Sequence, residues 1–235
     1  MIYLFDVDGT LTPSRDVMHP RFKKWFKEFV RQYPVAFVSG SDAQKTIEQV
    51  GYDLFSSVEY SFNCAGNEIY HHGNLIYRSD WHPGPELMKY LSYALVESTW
   101  STRTGNHVEI RTGMTNFSII GRNCTQAQRE AYYAWDSEHH ERATICSRLK
   151  DKFPELTFEI GGQISIDIFP NGCDKSQVLK HLIDRDINFF GDRMEPGGND
   201  HTLAHAIIDN HRGRCYNVNN WYETEKELLA LCPNV

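Results

Sequence analysis

Short apolar runs that stop at polar, glycine-bearing loops, each followed by a segment with helical spacing, set the strongest limit on how this chain folds. Ile2 to Val7 is the first such run, broken by Gly9 and Thr10. Phe22, Trp25, Phe26, Phe29 and Val30 then recur at i, i+3, i+4, i+7 and i+8, predicting a helix that leaves its lysines to water. Val35 to Val38 ends at Ser39-Gly40-Ser41-Asp42 and leads into a second helix over residues 43–50. Strand, helix, strand, helix is the signature of a parallel sheet wound through crossover helices. The working loops of such a sheet lie at the carboxyl ends of its strands, where both Asp6 and Ser39 fall.

The pattern breaks after Trp81-His82-Pro83-Gly84-Pro85, a cluster suited to a linker. Leu87, Tyr90, Leu91, Ala94 and Leu95 mark an amphipathic helix, and three strand-like stretches follow: His107 to Arg111, Asn116 to Arg122 and Gln163 to Phe169. A period of two sets Glu109 and Arg111 against Val108 and Ile110, Ser118 and Arg122 against Phe117 and Ile119, and Ser165 and Asp167 against Ile164, Ile166 and Ile168. An antiparallel sheet with one polar face is expected. From Cys173 the first style returns. Asp174 is placed to cap a helix bearing Val178, Leu179, Leu182 and Ile183, and Ile187 to Phe190 reads as a strand ending at Gly191-Asp192. Gly197-Gly198-Asn199-Asp200 then leads into a helix with Leu203, Ala204, Ile207 and Ile208. The expected organisation is a core in two pieces, residues 1–81 and 173–235, with residues 82–172 inserted as a second domain.

A chain of 235 residues can bury two such cores. Its net charge of −7 lacks the basic footprint of a nucleic-acid binder. No apolar run reaches the roughly 18 residues of a membrane span, and no signal peptide is visible behind Met1. The 6 cysteines are scattered without a C-x-x-C pair. Together these features predict a cytoplasmic protein whose partners are neither membranes nor nucleic acids. His71-His72 and His139-His140 lack the i, i+4 spacing of a helical metal pair and read as solvated surface.

The first loop carries chemistry. A strand-terminal Asp-x-Asp, Asp6 and Asp8, suits Mg²⁺, and Asp192, Asn199 and Asp200 offer further oxygens at other strand ends. An ionised aspartate beside such a cation can attack phosphorus while a second exchanges a proton with the substrate oxygen. Ser39 or Ser41, the Gly40 backbone and Lys175 can surround the transferring oxygens. In the insert, the arginines on polar strand faces suit a phosphate, because a planar guanidinium donates two parallel hydrogen bonds. Thr125 and Gln128 have capping-box spacing, which puts Arg129 in the first turn of a helix whose end also favours an anion.

FDVDGTLTP, VSGSD, a lysine near the return to the core, and FFGD followed by GGND resemble the motifs of the haloacid dehalogenase superfamily. EIRTGMTNFSIIGRN, TQAQR and GGQISIDIFPNGCDK closely resemble the cap of the eukaryotic-type phosphomannomutases, and the similarity spans essentially the whole chain. The resemblance implies an α/β fold, with a Rossmann-like parallel-sheet core and an inserted α+β cap domain containing an antiparallel sheet. It implies Asp6 as the nucleophile, Asp8 as general acid and base, and Mg²⁺ held by the Asp6 carboxylate, the Asp8 main-chain carbonyl and Asp192. Carried over residue by residue, substrate binding falls to Arg15 in the core and to Arg111, Arg122, Arg129, Ser165 and Asp167 in the cap. The implied activity interconverts mannose 1-phosphate and mannose 6-phosphate, with glucose phosphates as further substrates and a hexose 1,6-bisphosphate as intermediate and activator. A sugar-phosphate phosphatase on the same scaffold is the alternative, and a homodimer through the cap is implied in the same way. Two stretches depart from the family pattern. Arg193 and Met194 stand where many members carry lysine and threonine, and FNCAGN, residues 62–67, replaces the usual Glu-Asn-Gly and is assigned no catalytic role.

Overall fold

The computed structural model describes residues 1–14 and 16–233, so Arg15 lies outside the described residues. The chain begins with β1 (Ile2–Asp6), α1 (Pro20–Gln32), β2 (Val35–Val38), α2 (Ala43–Val50), α3 (Tyr52–Ser57), β3 (Tyr60–Asn63), β4 (Glu68–His71) and β5 (Asn74–Arg78). It continues with α4 (Pro85–Glu97), β6 (Val108–Arg111), β7 (Met114–Phe117), α5 (Gln126–His139), α6 (Glu141–Lys152), β8 (Leu156–Gly161) and β9 (Ser165–Pro170). The last elements are β10 (Ile187–Gly191), α7 (His201–Asp209), β11 (Gly213–Asn217) and α8 (Trp221–Leu231). Two compact units result: Met1–Ser79 with Gly172–Val235, and Asp80–Asn171.

In the first unit the strands form a seven-stranded sheet in the order β11-β10-β1-β2-β3-β4-β5. The pairs from β11 to β3 are parallel, and β4 and β5 add an antiparallel hairpin that local apolar patterning did not announce. Period-two alternation sends successive residues of β1 into different cores. Tyr3 and Phe5 meet Phe22, Phe26 and Phe29 of α1, whereas Ile2 and Leu4 meet Leu203 and Ile207 of α7. Each of those phenylalanines is fully buried, and truncating one to alanine would cost about 3–5 kcal/mol.

Asp174 does cap the segment after it, accepting a 2.7 Å hydrogen bond from the Ser176 amide, but that segment is a 3₁₀ turn over Lys175–His181 rather than an α-helix. The Arg212 guanidinium donates to the carbonyls of Leu179 and Leu182 and so closes the turn early. Ile183, expected on the apolar face, is left exposed.

The second unit holds an antiparallel sheet in the order β6-β7-β9-β8. Leu87 and Leu91 of α4, Tyr132 of α5, and Ile145 and Leu149 of α6 pack with Phe117, Ile166 and Ile168 from the sheet. The expected strand over 116–122 ends at Phe117. Beyond it, Gly121 takes φ +91 and donates its amide to Ser118 Oγ at 3.2 Å, a turn in which Ser118 is buried beside its apolar neighbours. The stretch expected from Gln163 becomes strand only at Ser165, and its partner β8, which was not expected at all, precedes it across a turn at Gly162. Ile110 is exposed although its alternation fits a buried face, because β6 is an edge strand. A buried ion pair stiffens this unit: Arg142 donates to Asp136 Oδ2 at 2.7 Å and to the carbonyls of Gly162 and Ser165 at 3.0 and 3.3 Å. It ties the α5–α6 junction to the start of β9.

Candidate active site

Three adjacent parallel strands deliver the first group of side chains. Asp6 ends β1, Ser39 follows β2, and Asp192 follows β10. Lys175 reaches into the same place, its Nζ 2.5 Å from Asp6 Oδ1 and 2.7 Å from Asp200 Oδ1. All three side chains are buried. Carboxylate oxygens of Asp6, Asp192 and Asp200 lie within 4.8 Å of one another. The loop after β1 crosses this group at Gly9, whose φ is +80. A Cβ there would sit 2.1 Å from Asp192 Oδ2, so both the backbone conformation and the close approach demand glycine.

Electrostatics leave this cluster incomplete. One ammonium faces three carboxylates, and Asp6 Oδ2 is buried without a hydrogen-bond partner among the described residues. Burial pushes Asp6 well above the carboxylate range, with Lys175 opposing and Asp200 adding to the shift. Asp192 is pushed up to about 6, first by burial and then by Asp200. Burial would lower Lys175, yet the charges of Asp200 and Asp6 outweigh it and keep the ammonium protonated. An all-oxygen donor set with surplus negative charge and an orphaned carboxylate oxygen fits a hard divalent cation.

The other expected residues of this unit fall differently. Asp8 is half-buried and its carboxylate lies outside the metal-sized group; Gln49 Nε2 donates to its Oδ1 at 3.0 Å. Ser39 is buried and its Oγ accepts from the Ser41 amide at 3.0 Å, while Gly40 is exposed with open space around it. Asp200 sits at the centre of the cluster, but the neighbouring Asn199 is exposed and does not join it. At the first departure from the family pattern, Arg193 donates its backbone amide to Asp200 Oδ2 at 3.2 Å and Met194 packs on the apolar core.

FNCAGN acts as a brace. The amides of Cys64 and Ala65 donate to the carbonyls of Ser41 and Ser39 at 2.8 Å, and the Ala65 carbonyl accepts from Gln177 Nε2 at 2.8 Å. The serine loop and the lysine turn are thereby joined through residues 64–66, all at positive φ.

The second unit carries a separate polar group. Sheet register lines up Glu109, Asn116, Asp167 and Glu159 across β6, β7, β9 and β8. Glu109 gathers two arginines, Arg111 Nε at 3.0 Å and Arg122 Nε at 3.1 Å, and the Arg111 hydrogen bond, ahead of Arg122, lowers its pKa. Asn116 Nδ2 donates to Asp167 Oδ1 at 2.5 Å. Burial raises the Asp167 pKa, with Asn116 and the two arginines opposing. Ser165 and Arg129 have other surroundings: the Ser165 hydroxyl donates to the Gly161 carbonyl at 2.7 Å, and Arg129 stands half-buried in the first turn of α5 behind a complete capping box. Sequence reasoning missed Asn116 as a member of the group, although the alternation that selected Ser118 also selects it. It missed Gln49 because no local pattern marks that residue.

A parallel sheet with carboxylates at its strand ends, joined to a separate antiparallel unit, is the haloacid dehalogenase-like architecture. A haloacid dehalogenase-like hydrolase from Bacteroides thetaiotaomicron has this fold with a TM-score of 0.64 at 12% identity, covering 98% of this chain and 98% of its own. An N-terminally truncated IMP-nucleotidase from Plasmodium falciparum gives 0.66 at 15% identity, covering 98% of this chain and 70% of its own. Sequence relatives narrow the class. The family model for eukaryotic phosphomannomutase matches residues 22–232. Chains named phosphomannomutase from Solanum lycopersicum and Glycine max are 37% and 38% identical, each over 98% of this chain and over 94% and 96% of their own lengths. The chain belongs to the eukaryotic phosphomannomutase family and is an enzyme of that kind.

Proposed function

We propose that the protein interconverts mannose 1-phosphate and mannose 6-phosphate, and acts on the corresponding glucose phosphates, through a phosphorylated Asp6. The observation that carries this reading is the Asp6 centre itself: Lys175 fixes the carboxylate through Oδ1, while Oδ2 is buried and without a partner among the described residues. Asp6 is charged when it attacks one phosphorus of a hexose 1,6-bisphosphate: the bond from that phosphorus to the sugar oxygen breaks, Asp8 delivers a proton to that oxygen, and a hexose monophosphate leaves. The 6-hydroxyl of mannose 1-phosphate then attacks the aspartyl phosphate and Asp8 takes its proton, giving a hexose 1,6-bisphosphate and free Asp6. Asp6 next attacks the 1-phosphate of this intermediate, Asp8 protonates the released oxygen, and mannose 6-phosphate leaves with the aspartyl phosphate regenerated.

Asp6, the Asp8 carbonyl and Asp192 would hold Mg²⁺, which when bound neutralises carboxylate charge and polarises the transferring phosphoryl group. Arg15, Arg111, Arg122 and Arg129 bind the phosphate that is not reacting, and Ser165 and Asp167 accept or donate hydrogen bonds to sugar hydroxyls. Ser39, Gly40 and Ser41 supply donors around the reacting phosphate. The enzyme works as a cytoplasmic homodimer paired through its cap; among the described residues, no helix is long and apolar enough to cross a membrane.

One time course tests the reading. Purified protein with mannose 1-phosphate, Mg²⁺ and a hexose bisphosphate is followed for mannose 6-phosphate and free phosphate together, beside Asp6→Asn. Mannose 6-phosphate with little free phosphate, absent from the variant, is the expected result. Free phosphate without isomerised sugar makes the protein a phosphatase, and turnover by Asp6→Asn removes Asp6 from the mechanism.

A further inference from the structure

Gln49 is an amide buried at the end of α2 with both of its ends committed to the loop that follows β1. Its backbone carbonyl accepts from the Met18 amide at 2.8 Å. Its side-chain nitrogen donates to Asp8 Oδ1 at 3.0 Å and to Thr12 Oγ1 at 3.0 Å, with the Asp16 carbonyl at a longer 3.5 Å. Two protons serve two short bonds, and the Thr12 hydroxyl passes the chain on by donating to the Val7 carbonyl at 3.3 Å. Thr12 and Gln49 are both buried.

The other half of the amide argues that this is not filler. Gln49 Oε1 is buried with no hydrogen-bond partner among the described residues, a burden of about 1–3 kcal/mol that an apolar side chain of the same length would not carry. Turning the amide over would set Oε1 against the Asp8 carboxylate, so the NH₂ group is what this position supplies. An amide nitrogen can only donate. It therefore fixes the plane of the Asp8 carboxyl group through Oδ1 and keeps the carboxyl proton off that oxygen.

We propose that Gln49, with Thr12, is a positioning residue for the proton transfer by Asp8, holding its carboxyl group in the one orientation from which a proton reaches the sugar oxygen. The proposal rests on the reading of Asp6 as nucleophile and Asp8 as acid and base. In the step concerned, the Asp6–phosphorus bond forms, the phosphorus–sugar oxygen bond breaks, and the Asp8 proton goes to the leaving oxygen. Gln49 touches none of the reacting atoms.

Two readouts on Gln49→Met separate this role from simple support of the fold. The first is steady-state turnover of a hexose 1-phosphate. The second is formation of a trifluoroberyllate adduct on Asp6 with Mg²⁺, followed by ¹⁹F NMR, which mimics the aspartyl phosphate and needs no proton transfer. The expected result is a kcat lower by about tenfold or more with KM within about twofold, while the adduct forms as in the parent. Gln49→Glu, which keeps the shape and replaces the donor, should show the same split and stands in if the methionine variant does not fold. An unchanged kcat, a loss that appears in KM, or an adduct lost in proportion to kcat overturns the proposal. A parent protein that forms no adduct, or forms one equally as Asp6→Asn, instead overturns Asp6 as the nucleophile.

Discussion

The two polar groups of this molecule handle charge in opposite ways. Around Lys175, side chains only 3%, 3% and 0% exposed are held at 2.5 and 2.7 Å, with carboxylates outnumbering ammoniums. Around Glu109, arginines 31% and 18% exposed meet a carboxylate 35% exposed at 3.0 and 3.1 Å. Buried charges cannot turn to water for compensation, so the first group is fixed in place and left short of positive charge. Partly exposed pairs of the second kind are worth about 0–1 kcal/mol. The core group is held by burial, whereas the ion pairs of the second group face water in part.

Removing the buried cation tests the core group and carries the largest expected effect on stability. Lys175→Met strands Asp6 and Asp200, and urea unfolding without divalent ions should show a loss of about 3–5 kcal/mol. Added Mg²⁺ should recover part of it, because a bound cation replaces the missing charge. Stability equal to the parent would end the contrast. Arg122→Ala tests the partly exposed group. Losing a charged hydrogen bond to phosphate, worth about 1.5–3 kcal/mol, should raise KM by about 10- to 100-fold. Its unfolding free energy should move by about 1 kcal/mol or less, since the pair with Glu109 is only partly buried. A stability loss as large as that of Lys175→Met would mean that the cap group is as fixed as the core group.

What could be seen in the sequence follows the same division between local and tertiary causes. The succession β1, α1, β2, α2 was legible because apolar periodicity acts over a few residues; the structure adds a cap to α2, where Asp42 Oδ1 accepts from the Lys45 amide at 2.8 Å. The capping box at Thr125 and Gln128, and the polar face of β9 with Asp167, were legible for the same reason. The central place of Asp200 was not, because it depends on a lysine 25 residues away reaching it. Gln49 was hidden too: it meets Asp8 across 41 residues of chain, through packing that no local pattern records. The early end of β7 turned on the positive φ of Gly121. The 3₁₀ turn over Lys175–His181 turned on Arg212, which comes from beyond the next strand.

A third charged group carries the comparison to the solvent limit, where the smallest effect is expected. Asp53, 51% exposed, pairs with Lys27 and, at 3.1 Å, with Lys23 of α1. The Lys27 hydrogen bond, opposed by a little burial and helped by Lys23, lowers its pKa to about 2. An unfolded aspartate titrates near about 3.9, so the folded state binds this proton less readily than the unfolded one. The pair's contribution is therefore present above about pH 4 and disappears as pH falls through the folded pKa. Solvent screening limits that contribution to under about 1 kcal/mol. Asp53→Asn should lose no more than this at pH 7, the gap to the parent should narrow between pH 4 and pH 3, and about 0.5 M salt should close most of it at any pH. Chemical denaturation across that range decides the matter. A gap that ignores both pH and salt would show that Asp53 acts through something other than its charge, and burial would no longer explain the ordering of the three groups.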